Sequence, residues 1–238
     1  MVIDPRAPLP DAADDSQAIE IDGLRATQRC ERPLERFHVA LRASGEAYED
    51  QSAPLRGEAG VATEVEIDLV WETDGIPYAW RQTTRYEIPC RVTGRVRVGG
   101  EEIAFSGPGQ RDHSWGSRDW WAFDWMWSAL HLDDGTRAHA VAIPQLPGFG
   151  VGYLQKGDRI AEITSVEATE TITDDGLIDV ARIVSDGLEI DVEPLAFGAL
   201  RLEAPDGRLS LFPRAVCSVR TGDGRTGTGW VEWNRVQP

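Results

Sequence analysis

Apolar and polar residues alternate with a period of two through much of the chain. Arg36–Ala43 sets Phe37, Val39 and Leu41 on one side, and Val61–Trp71 sets Val65, Ile67 and Leu69 opposite Glu64, Glu66 and Asp68. Successive side chains of a strand point to opposite faces, so this pattern predicts half-buried antiparallel strands. Ile19–Arg29 alternates in part. Further strands are expected over Tyr86–Val98, Ala138–Ile143, Ile160–Thr173, Leu177–Val184, Leu188–Glu193 and Ala215–Arg220. Turn chemistry separates them: Thr73-Asp-Gly75, Gly99-Gly100, Asp133-Asp-Gly135, Lys156-Gly-Asp158, Asp174-Asp-Gly176, Ser185-Asp-Gly187, Pro205-Asp-Gly207 and Gly222-Asp-Gly224. Asp-Gly and its relatives supply the positive φ that tight hairpins require.

No stretch carries the period of an amphipathic helix. Regular short strands between such turns define an all-β chain built as a meander, sandwich or barrel. Residues 1–16, rich in Pro, Asp and Ala without periodicity, read as a loose lead-in.

Composition narrows the partners. With 238 residues, 40 Asp+Glu and 24 Lys+Arg, the net charge is −16. An acidic surface repels nucleic acid and anionic membranes, so neither is an expected partner. The opening residues lack the basic and apolar regions of a signal peptide, and no run reaches the roughly 18 apolar residues of a membrane helix. The expected location is the cytoplasm. Cys30, Cys90 and Cys217 form no CxxC pair, so neither a disulfide framework nor a zinc knuckle is expected. Neither a phosphate-cradling glycine motif nor a GxSxG elbow is present, and no cofactor is expected.

The densest chemistry lies between Gly107 and Trp127. Five of the nine tryptophans fall between Trp115 and Trp127, interleaved with Arg111, Asp112, His113, Arg118, Asp119 and Asp124. Charges packed among so many large rings cannot all face solvent, and buried charges must be paired. The run Gly109-Gln-Arg-Asp-His-Ser-Trp-Gly-Ser-Arg-Asp-Trp-Trp121 resembles the central motif of a bacterial superfamily of lipocalin-like proteins. That superfamily contains carotenoid 1,2-hydratase (hydroxyneurosporene synthase) and relatives of tocopherol cyclase. Asp112, His113, Trp115 and Gly116 match the Asp-His-Asn-Trp-Gly pattern of the hydratases, with Ser114 in place of Asn. The following Arg118-Asp-Trp-Trp121 is closer to an uncharacterised bacterial branch. The similarity extends over Tyr86–Phe105 and weakly to Gly227-Thr-Gly-Trp-Val-Glu-Trp233.

The resemblance implies lipocalin-like (calycin) antiparallel β halves: a shortened N-terminal half over 17–110 and a C-terminal domain over 111–238. Only about 110 residues precede the motif, fewer than in the family, so the first half is expected to be a trimmed or open barrel. Open edges need covering, and a homodimer is one way to cover them.

The implied activity is a cofactor-independent hydratase, isomerase or cyclase acting on a hydrophobic, terpenoid- or polyketide-like molecule. His113 and Asp112 are the expected proton-transfer groups, since burial can bring either into range. Trp115 and Trp121 would form aromatic walls, Arg111 or Arg118 would orient a polar end, and Tyr86 and Tyr153 would supply hydroxyls. Two other classes fit the same residues. One is a carrier that binds such a molecule without chemistry. The other is an accessory subunit that packs its tryptophans on a partner. His113, His131 and His139 have no standard metal-site spacing; His131 and His139 read as facing cross-strand neighbours beside a hairpin.

Overall fold

The computed structural model describes residues 16–116 and 119–238, so most of the expected lead-in, and Arg118, lie outside the described residues. The chain is all-β and lipocalin-like. Among the described residues, the one helical element is a short 3-10 turn, Ala53–Arg56. None of their helices is long and apolar enough to cross a membrane.

The first sheet holds β1 (Gln17–Ile21), β2 (Leu24–Arg32), β3 (Arg36–Ala47), β4 (Val61–Thr73), β5 (Tyr78–Ala79), β6 (Arg85–Val98) and β7 (Glu101–Ser114). Its order is β1-β2-β3-β4-β6-β5, with β7 also paired to β6. The partial alternation over Ile19–Arg29 is two strands. Asp22 (φ 38°) and Gly23 (φ 85°) make a two-residue turn that sets Ile21 opposite Leu24. The expected apolar row holds, because Phe37 faces Trp71 and Val39 faces Leu69 across β3 and β4.

The second sheet holds β8 (Trp125–Leu132), β9 (Arg137–Ala142), β10 (Gly150–Lys156), β11 (Arg159–Ile163), β12 (Val166–Ile172), β13 (Ile178–Ser185), β14 (Leu188–Phe197), β15 (Leu200–Glu203), β16 (Leu209–Phe212), β17 (Arg214–Thr221) and β18 (Thr226–Val236). Its order is β11-β10-β9-β8-β18-β17-β14-β13-β12, with β16 bridging β15 and β18. The single strand expected over Ile160–Thr173 is broken at Thr164, whose N–H donates to the Asp186 carboxylate at 3.0 Å. That break turns β12 back onto the far end of the sheet. The Gly150 N–H then donates to the Thr164 carbonyl at 3.1 Å, and Val166 occupies the space beside Gly150. The curled sheet encloses one continuous core that includes Met126, Leu130, Ile163, Ile183, Ile190, Val231 and Trp233.

Contacts divide the chain into two compact units that interleave in sequence. One comprises Met1–Ala47, Val61–Pro77 and Glu87–Asp112. The other comprises Tyr48–Gly60, Tyr78–Tyr86 and His113–Pro238. Two excursions from the first unit, 48–60 and 78–86, thus belong to the second. In the first of them Asp50 accepts from both the N–H and the hydroxyl of Ser52 and from Arg56, which holds its carboxyl down near pKa 2.

Close strand approach sets the sharpest local constraint. A Cβ on Gly152 would lie 1.9 Å from the backbone oxygen of His139, which the sheet cannot move. Gly152→Ala should therefore destabilise the protein by about 1–3 kcal/mol. A urea midpoint equal to wild type would show that β9 and β10 do not approach this closely.

Candidate functional site

The sequence-predicted residues divide among several places. Tyr86 is the second residue of β6, His113 stands near the end of β7 and Trp115 just beyond it, all three within the second unit. The structure brings them together. Tyr86 Oη lies 3.1 Å from His113 Nδ1. Their ring centroids are 5.2 Å apart, and the Trp115 ring stands edge-on to both, at 5.4 Å from His113 and 6.5 Å from Tyr86. His113 is half-buried, while Trp115 is 54% exposed. A hydrogen-bonded Tyr–His pair is thus open to a ligand beside an exposed indole.

Local backbone bonds fix this corner. The Trp115 N–H donates to the Thr84 carbonyl at 3.1 Å, and the Thr84 hydroxyl donates back to the Trp115 carbonyl. Gly116 follows with φ 112°, which ends the strand.

The other expected residues lie elsewhere. Asp112 is exposed, and strand alternation points it to the side of β7 opposite His113. Arg111 belongs to the first unit, where it is 9% exposed with its guanidinium 3.6 Å from the centroid of the Phe37 ring. Trp121 donates its indole N–H to the Leu202 carbonyl at 3.3 Å. Its own backbone N–H bonds Asp119, which Arg208 grips through both carboxylate oxygens. Asn234 donates to the carbonyls of Trp120 and Phe123, both at 3.0 Å, and accepts from Ser210. Residues 119–124 are therefore a stapled loop. Most of the tryptophan-rich run serves packing: Trp120, Trp125 and Phe212 stack edge to face.

Tyr153 lies in a second aromatic cluster, on the outer side of β8–β10. It is 1% exposed and packs against Tyr78 (5.3 Å) and His139 (5.5 Å). His139, fully buried, also meets Trp80 and Trp127. His131 and His139 do not face each other: the register pairs His139 with Ala129 and His131 with Arg137. Among the described residues no group of three His, Cys, Asp or Glu is placed to hold a metal. Sequence reasoning passed over Trp80 and Thr84. The Pro-Tyr-Ala-Trp run ending at Trp80 was the available signal, but it breaks off after four residues and shows no period.

Tyr78 donates to Glu162 at 3.1 Å, and Arg81 pairs with the same carboxylate at 2.7 Å. Burial first, then the hydrogen bond to Glu162 and its charge, push the Tyr78 phenol up to about 12. Burial likewise raises the Cys90 and Cys217 thiols, to about 11 and about 12, which keeps both protonated and unreactive.

Over residues 1–237 the chain matches the family described as "Domain of unknown function (DUF7064)", and it belongs to that family. No protein of curated function matches it in sequence. Several solved structures share its fold, among them the following two. An AttH-like protein of Nitrosomonas europaea aligns with TM-score 0.61 and 14% identity, over 92% of this chain and 70% of its own. Kievitone hydratase from Nectria haematococca aligns with TM-score 0.51 and 12% identity, over 93% of this chain and 85% of its own.

The Tyr78 shift carries a pH consequence. In the unfolded chain the phenol ionises near 10, and in the folded protein near 12. Its contribution to stability is complete below the lower value and is lost as pH rises toward the upper one. Tyr78→Phe keeps the ring and removes the ionisable group. Urea midpoints across that alkaline window should therefore fall less steeply in the variant, and equal slopes would refute the assignment.

Proposed function

We propose that this DUF7064 chain is a cofactor-independent hydratase that adds water to a carbon–carbon double bond of a hydrophobic, terpenoid- or polyketide-like molecule. The observation that carries the reading is the 3.1 Å hydrogen bond between Tyr86 and His113 beside the exposed Trp115. The chain shares its fold with kievitone hydratase, at an identity that speaks for fold alone.

The pair can move protons in a closed sequence. With Nδ1–H of His113 donating to the Tyr86 oxygen, Nε2 is the unprotonated nitrogen of the ring and takes a proton from water. The water oxygen bonds one alkene carbon. The Tyr86 hydroxyl gives its proton to the other carbon and receives the Nδ1 proton in return. Atoms balance, and His113 ends neutral as the opposite tautomer, which exchange with solvent resets because the ring is half-exposed. The Trp115 ring offers a flat wall for an unsaturated body, and its negative face eases positive charge at carbon.

A simple carrier would have no use for the hydrogen-bonded Tyr–His pair. Asp112, the other expected acid–base residue, has no place in this sequence of transfers because it projects from the opposite side of β7.

Incubation with a panel of apolar alkenes in 18O-water, read by mass spectrometry, tests the reading. Wild type should incorporate one oxygen, while His113→Ala and Tyr86→Phe should each lose about 10²–10⁴-fold in rate with a cooperative unfolding transition retained. Unchanged rates in both variants would sink the pair. A comparable loss in a folded Asp112→Asn variant would return the role to that carboxylate.

A further inference from the structure

The excursion that presents Tyr86 has little structure of its own. It begins with the two-residue strand β5, and Arg81–Thr84 make no ladder before β6 starts at Arg85. Glu162 holds its start through Tyr78 and Arg81, and Trp115 holds its end through Thr84, so the middle, at Trp80, is what remains to be fixed from outside.

His139 is placed to do so. Its Nδ1 lies 2.8 Å from the Ser128 carbonyl oxygen. A carbonyl only accepts, so Nδ1 carries the proton and the ring orientation is fixed. Trp127 of β8 (5.3 Å) and Tyr153 of β10 (5.5 Å) flank that ring from the barrel side. The third neighbour, Trp80 at 5.9 Å, belongs to the excursion. The Trp80 ring also carries the Arg85 guanidinium, 4.7 Å from its centroid, and the Trp80 N–H donates to the Arg85 carbonyl at 2.9 Å. Arg85 immediately precedes Tyr86. A chain of direct contacts therefore runs from a fixed barrel side chain to the residue beside the phenol.

We propose that His139 is a positioning residue for the Tyr86–His113 pair, acting through ring contact with Trp80. The proposal rests on the reading of that pair as the proton-transfer groups. Its ring, held by the barrel, sets where Trp80 sits, and Trp80 sets the register in which the excursion enters β6.

The test uses the full chain labelled with 15N-histidine, its His113 signals assigned from a His113→Gln sample, together with turnover in the 18O assay. His139→Asn keeps a donor for Ser128 but removes the ring. Its His113 nitrogens should move from a fixed-tautomer pattern toward those of free imidazole. Its kcat should fall about 10–100-fold with KM changed by less than about twofold. Trp80→Leu should reproduce both changes, and the double variant should add little, as expected for two residues acting through one contact. His139→Phe, which keeps a ring, should restore most of the loss. A folded His139→Asn or Trp80→Leu variant with wild-type His113 signals would overturn the proposal. If one of the two fails to unfold cooperatively, the other decides by the same criteria. A wild-type protein without turnover, whose His113 signals nonetheless respond to His139→Asn, would refute the hydratase reading and leave the positioning role standing.

Discussion

Strands β8, β9 and β10 are buried on both sides, and this double burial governs the second unit. Their inner face joins the core around Leu130, Ala140 and Trp233. Their outer face carries Trp127, Ala129, His139, Val141, Val151 and Tyr153, all buried as well. Each of the larger apolar side chains there is worth about 1.5–3 kcal/mol when removed from water. A sheet face of this kind cannot be left to solvent. Within the unit its cover includes Tyr78 and Trp80, which arrive on the 78–86 excursion. That cover delivers Tyr86 to His113. The candidate site thus depends on an apolar demand made by strands that hold none of its acid–base groups.

The same double burial explains what the sequence did and did not disclose. Half-buried β3 and β4 showed clean alternation at Phe37, Val39, Val65 and Ile67. Doubly buried Trp125–Leu132 showed none, because a strand covered on both faces has no polar side. Asp22 and Gly23 hid a turn inside a weak alternating run, and Thr164 ended a strand through a partner 22 residues away. Neither event leaves a local period. At the site, His113, Trp115 and Tyr86 were legible by residue type, and they meet because β6 and β7 are neighbours in one sheet. Tyr153 was legible as a tyrosine on a strand, but only the register of β9 and β10, which sets it opposite His139, shows where it points.

The tryptophan-rich motif serves two purposes in succession. Its first part, through Trp115, bears the accessible Tyr–His corner. Its second part, Asp119–Trp125, is an architectural loop held by Asn234, Arg208 and the Val236 N–H, which donates to Asp124 at 2.7 Å. A short stretch that mixes charge and indole suggests a single catalytic centre. Here the charge in its latter half is consumed by backbone hydrogen bonds and one two-oxygen grip from arginine.

Strand β18 lies between β8 and β17, with Asn234 opposite Trp125 and Glu232 opposite Trp127. Among the described residues it is the last strand in order of synthesis, yet it occupies the middle of the second sheet. On the ribosome, β8 pairs with β9 as soon as that strand emerges, but its other edge stays open until β18 arrives to set Asn234 opposite Trp125. Pairing of such long sequence separation forms slowly and exposes strand edges until it does. Until β18 arrives, the nascent second unit keeps that edge of β8 open to wrong pairing.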